Sequence, residues 1–265
     1  MINKYIFLYL LFKARFFLFF GIDPVSKTKI FKDVNLIRVG TGYGSWIITS
    51  DVLKKGTVCY CVGAGEDITF DCDLAENYFC NVFTFDPTPR AKKHFEELSL
   101  RLKNNKRMKI NNKRGHFYKL SKKGLSRIKF LGYGIDEFTG IRKFYAPREK
   151  KYVSYSVANL DKNDSFILSE FRRLSEVMKS KKHKSLGVLK LDIEGAEYGV
   201  IKSLLEDNLR VKVVALEFDE LRRPLNLGFQ KRIKKVIRSL IDCGYKLVAV
   251  DNVSNYTFVK QNDEE

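Results

Sequence analysis

Two short apolar runs constrain this chain most: residues 57–62 (TVCYCV) and residues 186–191 (LGVLKL). Each stops abruptly at glycine and acid. Gly63-Ala64-Gly65-Glu66-Asp67 follows the first, and Asp192-Ile193-Glu194-Gly195-Ala196-Glu197 follows the second. A near-continuous apolar run of this length, bounded by turn residues, reads as a strand buried on both faces. A helical pattern follows each turn. Over 66–78 the residues Phe70, Leu74 and Tyr78 share one face, and a second helix runs from the acidic turn to about 207.

The same punctuation recurs along the chain. Residues 82–85 read as a strand ending at Asp86-Pro87-Thr88-Pro89, where Thr88 can cap the next helix and Pro89 suits its first turn. That helix runs to about 102. Residues 98–135 contain no Asp or Glu and many Lys and Arg, which predicts an inserted, solvated stretch ending in a strand near 128–131. Short strands are expected at 143–145 and 152–157, a helix at 170–178, a strand at 211–218 and a helix at 229–241, closed by Cys243-Gly244. Residues 245–250 and 256–260 then form a hairpin. The order βαβα, a variable middle, then βαβαββ predicts an α/β fold: a doubly wound, mostly parallel sheet with a C-terminal antiparallel hairpin. Such sheets bind ligands beyond the carboxyl ends of their strands. The candidates are therefore residues 63–67, Asp86, residues 134–136, residues 192–197 and residues 217–219.

Gly63 and Gly65 let a ligand approach the backbone, and Asp86, 21 residues after Gly65, stands where a carboxylate binds ribose hydroxyls. The third glycine of a dinucleotide fingerprint is missing, because Ile68 occupies its place. Glu66 and Asp67 at the helix start would repel a pyrophosphate but suit a cation. These residues, with Asp136, point to S-adenosylmethionine as cofactor. Complementing the helix dipole is the alternative role for Glu66 and Asp67. A second glycine cluster, Gly40-Thr41-Gly42-Tyr43-Gly44, is not followed by a helical pattern and reads as a turn bordering the site.

Methyl transfer from a sulfonium is an in-line displacement, and an alkyl hydroxyl needs a base or a metal beside it. Asp192, at a strand end, is the expected general base, with Glu194 and Glu217 completing the catalytic set. Asp192 and Glu194 together are also a candidate site for a divalent hard cation such as Mg²⁺. Glu194 and Glu197 have helix-start chemistry as their alternative role. His94, His116 and His183 read as surface residues, since none falls at a strand end. The five cysteines lack metal or disulfide spacing and read as small buried hydrophobes in a reducing cytosol.

Several of these residues together resemble the FkbM-type methyltransferases. The acidic hallmark is Asp192-Ile193-Glu194-Gly195-Ala196-Glu197 after Leu189-Lys190-Leu191. A subgroup of that family carries three further elements: Gly65-Glu66-Asp67-Ile68-Thr69-Phe70-Asp71, then Phe85 to Pro89, then Val153 to Ser156. Gly44-Ser45-Trp46 matches its Gly-Trp element loosely, and the likeness spans about residues 35–260. It implies a class I, Rossmann-like, S-adenosylmethionine-dependent fold and O-methylation, often of a sugar hydroxyl in a glycan or metabolite. Asp219 departs from the Glu-Phe-His of many relatives, so a base must come from elsewhere. The chain then divides into an arm, 1–21, and one methyltransferase domain, 22–265, with a basic insertion near 103–126.

The arm is apolar over 5–11 and 16–20 but interrupted by Lys13 and Arg15, so it reads as a short packed helix or a helix lying in a lipid boundary. The expected location is cytoplasmic, with membrane contact through residues 1–20. The chain carries 49 Lys+Arg against 31 Asp+Glu, a net +18. That balance raises an anionic partner, and RNA 2′-O-methylation is the alternative to a glycan or small-molecule acceptor. No RNA-binding module is recognisable in the chain.

Overall fold

The computed structural model describes residues 12, 16–110, 116–146, 155, 165–193, 195–222, 226–251 and 254–261. A small hairpin, β1 (Leu36–Val39) and β2 (Trp46–Thr49), precedes the central sheet. The first half then runs β3 (Val58–Val62), α1 (Thr69–Glu76), β4 (Asn81–Phe85), α2 (Pro89–Lys103), the single turn α3 (Lys122–Leu125) and β5 (Ile128–Leu131). Three further strands follow: β6 (Gly134–Asp136), β7 (Gly140–Tyr145) and β8 (Phe166–Arg173). The second half runs α4 (Leu174–Ser180), β9 (Leu186–Leu191), α5 (Glu197–Glu206), β10 (Val211–Glu217), α6 (Phe229–Asp242), β11 (Tyr245–Asp251) and β12 (Asn255–Lys260).

The seven-stranded sheet has the order β11-β12-β10-β9-β3-β4-β5. The pairings of β10, β9, β3, β4 and β5 are parallel, and β12 lies antiparallel between β10 and β11. The α/β doubly wound architecture is therefore present, and the C-terminal hairpin inserts its last strand into the sheet rather than extending the edge. Strand order reverses between β3 and β9, the switch point where such sheets open a crevice for ligands.

Alternation along each strand explains why the runs are apolar throughout. Tyr60 and Val62 face one core with Leu189, Leu191 and Leu216, covered by α4, α5 and α6. Cys59 and Cys61 face the other with Val188, Val213 and Ala215, covered by α1, α2 and the β1–β2 hairpin. On α6 the buried residues Phe229, Ile233, Val236, Ile237 and Leu240 recur at helical spacing. Each such side chain contributes ~1.5–3 kcal/mol when fully buried.

Several boundaries differ from expectation. α1 starts at Thr69, not 66, because the Asp67 carboxylate accepts the Thr69 amide at 3.1 Å and holds the preceding residues in a turn. The helix expected at 170–178 is strand to Arg173 and helix only from Leu174. Antiparallel pairing of β8 with β7, from Phe166 opposite Tyr145 to Phe171 opposite Gly140, overrides local propensity there. The β6-β8-β7 sheet is separate from the central one. The strand expected at 152–157 lies outside the described residues save Tyr155, as does most of the Val153 to Ser156 motif.

Cys59, Cys61, Cys72 and Cys80 are buried free thiols and Cys243 is exposed. Burial pushes the Cys61 and Cys72 thiols well above their ordinary value, so neither is a reactive thiolate. Of the arm, Phe12, Phe16, Phe19 and Phe20 are all more than half exposed. Among the described residues no helix is long and apolar enough to cross a membrane.

Candidate functional site

The carboxyl ends of β10, β9, β3 and β4 lie side by side in the sheet. They bring Glu217, Asp192, the loop 63–67 and Asp86 along one edge in that order. At the ordinary strand spacing this row spans about 14 Å.

The glycine loop is held from both sides. Gly63 donates its amide to the Phe85 carbonyl at 2.9 Å and has a φ of +87°. A Cβ there would fall 1.8 Å from the Asp192 carbonyl oxygen, so only glycine lets the two strand ends approach. Asp86 braces the loop: its Oδ2 accepts the amides of Ala64 and Gly65 at 2.9 and 3.0 Å. Its Oδ1 accepts the amide and the hydroxyl of Thr88. Thr88 in turn caps α2 by accepting the Ala91 amide. An acid here thus shapes the loop backbone as well as standing at its mouth.

Glu66 forms a two-pronged ion pair with Arg90, at 2.7 and 2.9 Å. Asp67 packs against the second glycine cluster, where a Cβ on Gly44 would come within 2.5 Å of its carboxylate. Gly40 and Thr41 donate their amides to Asp73 and Thr69 of α1. The Gly40–Gly44 segment is accordingly a turn bordering the loop.

Asp192 is one-third exposed and ion-paired at 3.1 Å with Lys190, which is buried. The Lys190 ammonium also donates to the Gly63 carbonyl at 2.7 Å. It therefore ties the end of β9 to the end of β3. Asp71, fully buried on α1, neighbours it and accepts the Thr84 hydroxyl. Burial pushes the Asp71 carboxyl up to about 6, against the pull of Lys190 and Thr84. For Lys190 burial would lower the pKa, but Asp192 and Asp71 outweigh it and hold the ammonium above its ordinary value. Asp192 already has an ammonium as its counter-charge. That is the physical reason the expected Asp192–Glu194 cation site gains no support: Lys190 neutralises the carboxylate a metal would need, and Glu194 lies outside the described residues. Among the described residues no group of three or more His, Cys, Asp or Glu is arranged to hold a metal ion.

Glu197 folds the acidic turn. Its two oxygens accept the amides of Ile193 and Gly195 at 3.0 and 2.9 Å, so it fixes the backbone on which Asp192 stands. Glu217 accepts the Ser254 hydroxyl at 3.0 Å and pairs with Arg222 at 3.2 Å. Asp136 stands apart from the row. It belongs to the second sheet, with one oxygen on the Glu137 amide and the other on Arg142.

Sequence reasoning missed three things. The Asp71–Lys190 pair was legible as a lone lysine inside an apolar strand, which demands a buried counter-charge. His94, expected on the surface, is buried on α2 and within 2.8 Å of the Tyr118 hydroxyl, and burial lowers its pKa. Tyr118 in turn accepts the Ile68 amide at 3.2 Å, so the basic insertion packs directly against the loop. His183 lies 2.7 Å from the Tyr60 hydroxyl, while His116 is exposed.

The row as a whole is acidic at its rim, with hydroxyl-accepting carboxylates and a glycine backbone. That donor set fits a ligand carrying ribose hydroxyls, an ammonium and a sulfonium better than one carrying phosphates.

Comparison with known proteins bears on this edge. The methyltransferase FkbM domain matches residues 62–247. Among solved structures, the fibrillarin pre-rRNA processing protein of Methanococcus jannaschii is similar at 9% identity and a TM-score of 0.41, over 87% of this chain and 84% of that one. Precorrin-6y C5,15-methyltransferase of Geobacter metallireducens GS-15 is similar at 13% identity and a TM-score of 0.36, over 78% and 83%. No curated protein matches the chain.

Proposed function

The chain belongs to the FkbM methyltransferase family, and from that premise we propose that it methylates a hydroxyl oxygen of a sugar, glycan or small metabolite. Membership implies S-adenosylmethionine as methyl donor; bound at this edge, it supplies an electrophilic methyl on a sulfonium. The backbone of Gly63 and Gly65 lets it lie close to the sheet. Asp86 would receive its ribose hydroxyls. Asp67 would offset its positive groups, while Glu66 is held by Arg90.

The observation that carries the reading is Asp192, a partly exposed carboxylate at the end of β9, beside the glycine loop and held in place by Lys190 and the Glu197-bound turn. In this role Asp192 would accept the proton of the acceptor hydroxyl as its oxygen bonds to the methyl carbon and the S–CH3 bond breaks, leaving the donor as a neutral thioether. Glu217, one strand away, orients that hydroxyl. A base is what an alkyl alcohol requires for an in-line displacement.

Calorimetry with S-adenosylmethionine and with NAD, followed by a screen of hydroxylated acceptors with Asp192→Asn, tests the assignment. The expected result is heat with the former alone, and a turnover loss of ~100-fold or more in the variant with cofactor affinity retained. Full methyl transfer by Asp192→Asn at neutral pH would remove the base role. The alternative acceptor, an RNA ribose, rests on the basic insertion and is separated by salt: binding that falls steeply with ionic strength would favour it. The exposed Phe16, Phe19 and Phe20, flanked by Lys13, Arg15 and Lys27, also support placing the arm in the boundary of an anionic membrane.

A further inference from the structure

A concavity of about 610 Å³ opens between α2 and the basic insertion. One wall is a single face of α2, where Arg90, Lys93, His94, Glu97 and Arg101 recur at helical spacing. The other wall is Arg107, Met108, Lys109 and Phe117, fixed by the antiparallel bridge between Lys109 and Phe117. Behind it, the buried Met108, Ile110 and Tyr118 anchor the insertion in the core.

Among the described residues the lining carries five Lys and Arg against two carboxylates, Glu66 and Glu97. Both carboxylates are engaged within the wall: Glu66 by Arg90, and Glu97 by Arg101 at 2.8 Å. Lys93, Arg107 and Lys109 therefore bring surplus positive charge to one small space. An anion seated among them is attracted by each.

We propose that this pocket is a subsite for a small phosphate- or sulfate-bearing ligand, the anionic part of the methyl acceptor. The acceptor half of that statement rests on the hydroxyl-methylation reading above. Arg90 makes the connection, since the guanidinium on the pocket wall also grips Glu66 in the cofactor loop. The ligand held in the pocket thus lies one side chain from the loop that holds the donor. A small anion fits better than an RNA strand. The space is walled on two sides, which suits a compact anion better than a strand running along its backbone.

The test is calorimetry on the full chain with pyrophosphate, sulfate and acetate, comparing wild type with Arg107→Glu/Lys109→Glu. Lys235→Glu/Arg238→Glu on α6 is the control, because it changes net charge equally at exposed positions elsewhere. Pyrophosphate should bind wild type more tightly than sulfate, and sulfate more tightly than acetate. The pocket variant should lose ~10-fold or more in affinity while the control stays within about two-fold. No heat with any anion, or equal loss in both variants, would overturn the pocket. So would binding of an unstructured RNA oligonucleotide that pyrophosphate does not compete away. Pyrophosphate binding that survives when no hydroxylated acceptor is methylated would support the pocket and fail the hydroxyl reading, so the two failures read differently.

Discussion

Replacing Lys190 with methionine should damage both the stability of the protein and the shape of its cofactor loop. The lysine stem is buried, so methionine keeps most of its packing while deleting the ammonium. Three groups lose a partner: the Gly63 carbonyl at 2.7 Å, the Asp192 carboxylate at 3.1 Å, and the neighbouring Asp71. They are not equivalent. Asp192 is one-third exposed and water can replace the ammonium. Asp71 is sealed in the core and water cannot reach it. Asp71, whose carboxyl already stands at about 6, would take up a proton at pH 7, which limits its share of the loss to ~1.4 kcal/mol, and the unsatisfied Gly63 carbonyl adds ~1–3 kcal/mol. Adding Asp71→Asn to Lys190→Met removes the cost of that proton uptake. The double variant should therefore recover ~1 kcal/mol relative to the sum of the two single effects. Urea unfolding at pH 7 reads this from the midpoints, provided the slopes stay constant. Calorimetry on the same proteins should show weaker S-adenosylmethionine binding in both Lys190→Met variants, because neither restores the donor to Gly63. A loss below ~1 kcal/mol for Lys190→Met, or strictly additive single effects, would refute the account of Lys190 as the charge that joins β3, β9 and α1.

Three other outcomes follow from the same geometry. Gly63→Ala should lose ~1–2 kcal/mol from its left-handed backbone alone and more from the collision with the Asp192 carbonyl, and it should abolish cofactor binding; a near-native thermal midpoint would contradict this. Asp71, with its carboxyl raised to about 6 from an ordinary 3.8, binds its proton more tightly folded than unfolded, so its contribution to stability is greatest below about pH 4 and falls by ~3 kcal/mol as pH rises through 6. Asp71→Asn should flatten that component of the unfolding-midpoint profile between pH 4 and 7, and parallel profiles would show the buried carboxyl is not its source. Phe16→Ser/Phe19→Ser should reduce sedimentation with vesicles containing anionic lipid several-fold without moving the thermal midpoint, since both rings are exposed; unchanged recovery would argue against a membrane role for the arm.

The legible part of this protein was its periodicity. The runs at 57–62 and 186–191, the capped start of α2 at Thr88-Pro89, and the glycine stop after α6 are local signals. Hydrophobic alternation and backbone chemistry act over a few residues, and each emerged close to its expected place. Strand-end logic then named Gly63, Asp86, Asp192 and Glu217, which parallel pairing does bring to one edge.

What the tertiary structure alone decided is whom each charge meets. Nothing local distinguishes Asp71 from its half-buried neighbour Asp73, yet one is sealed in the core near Lys190 and the other holds the Gly40 amide. Nothing local says that β12 inserts between β10 and β11, that Asp136 sits in a separate sheet on Arg142, or that His94 is buried under Tyr118. These are contacts between residues distant in sequence, set by strand order and helix packing. An ionised side chain takes its energy from the partner and the solvent it is left with, and both are fixed only when the chain closes on itself.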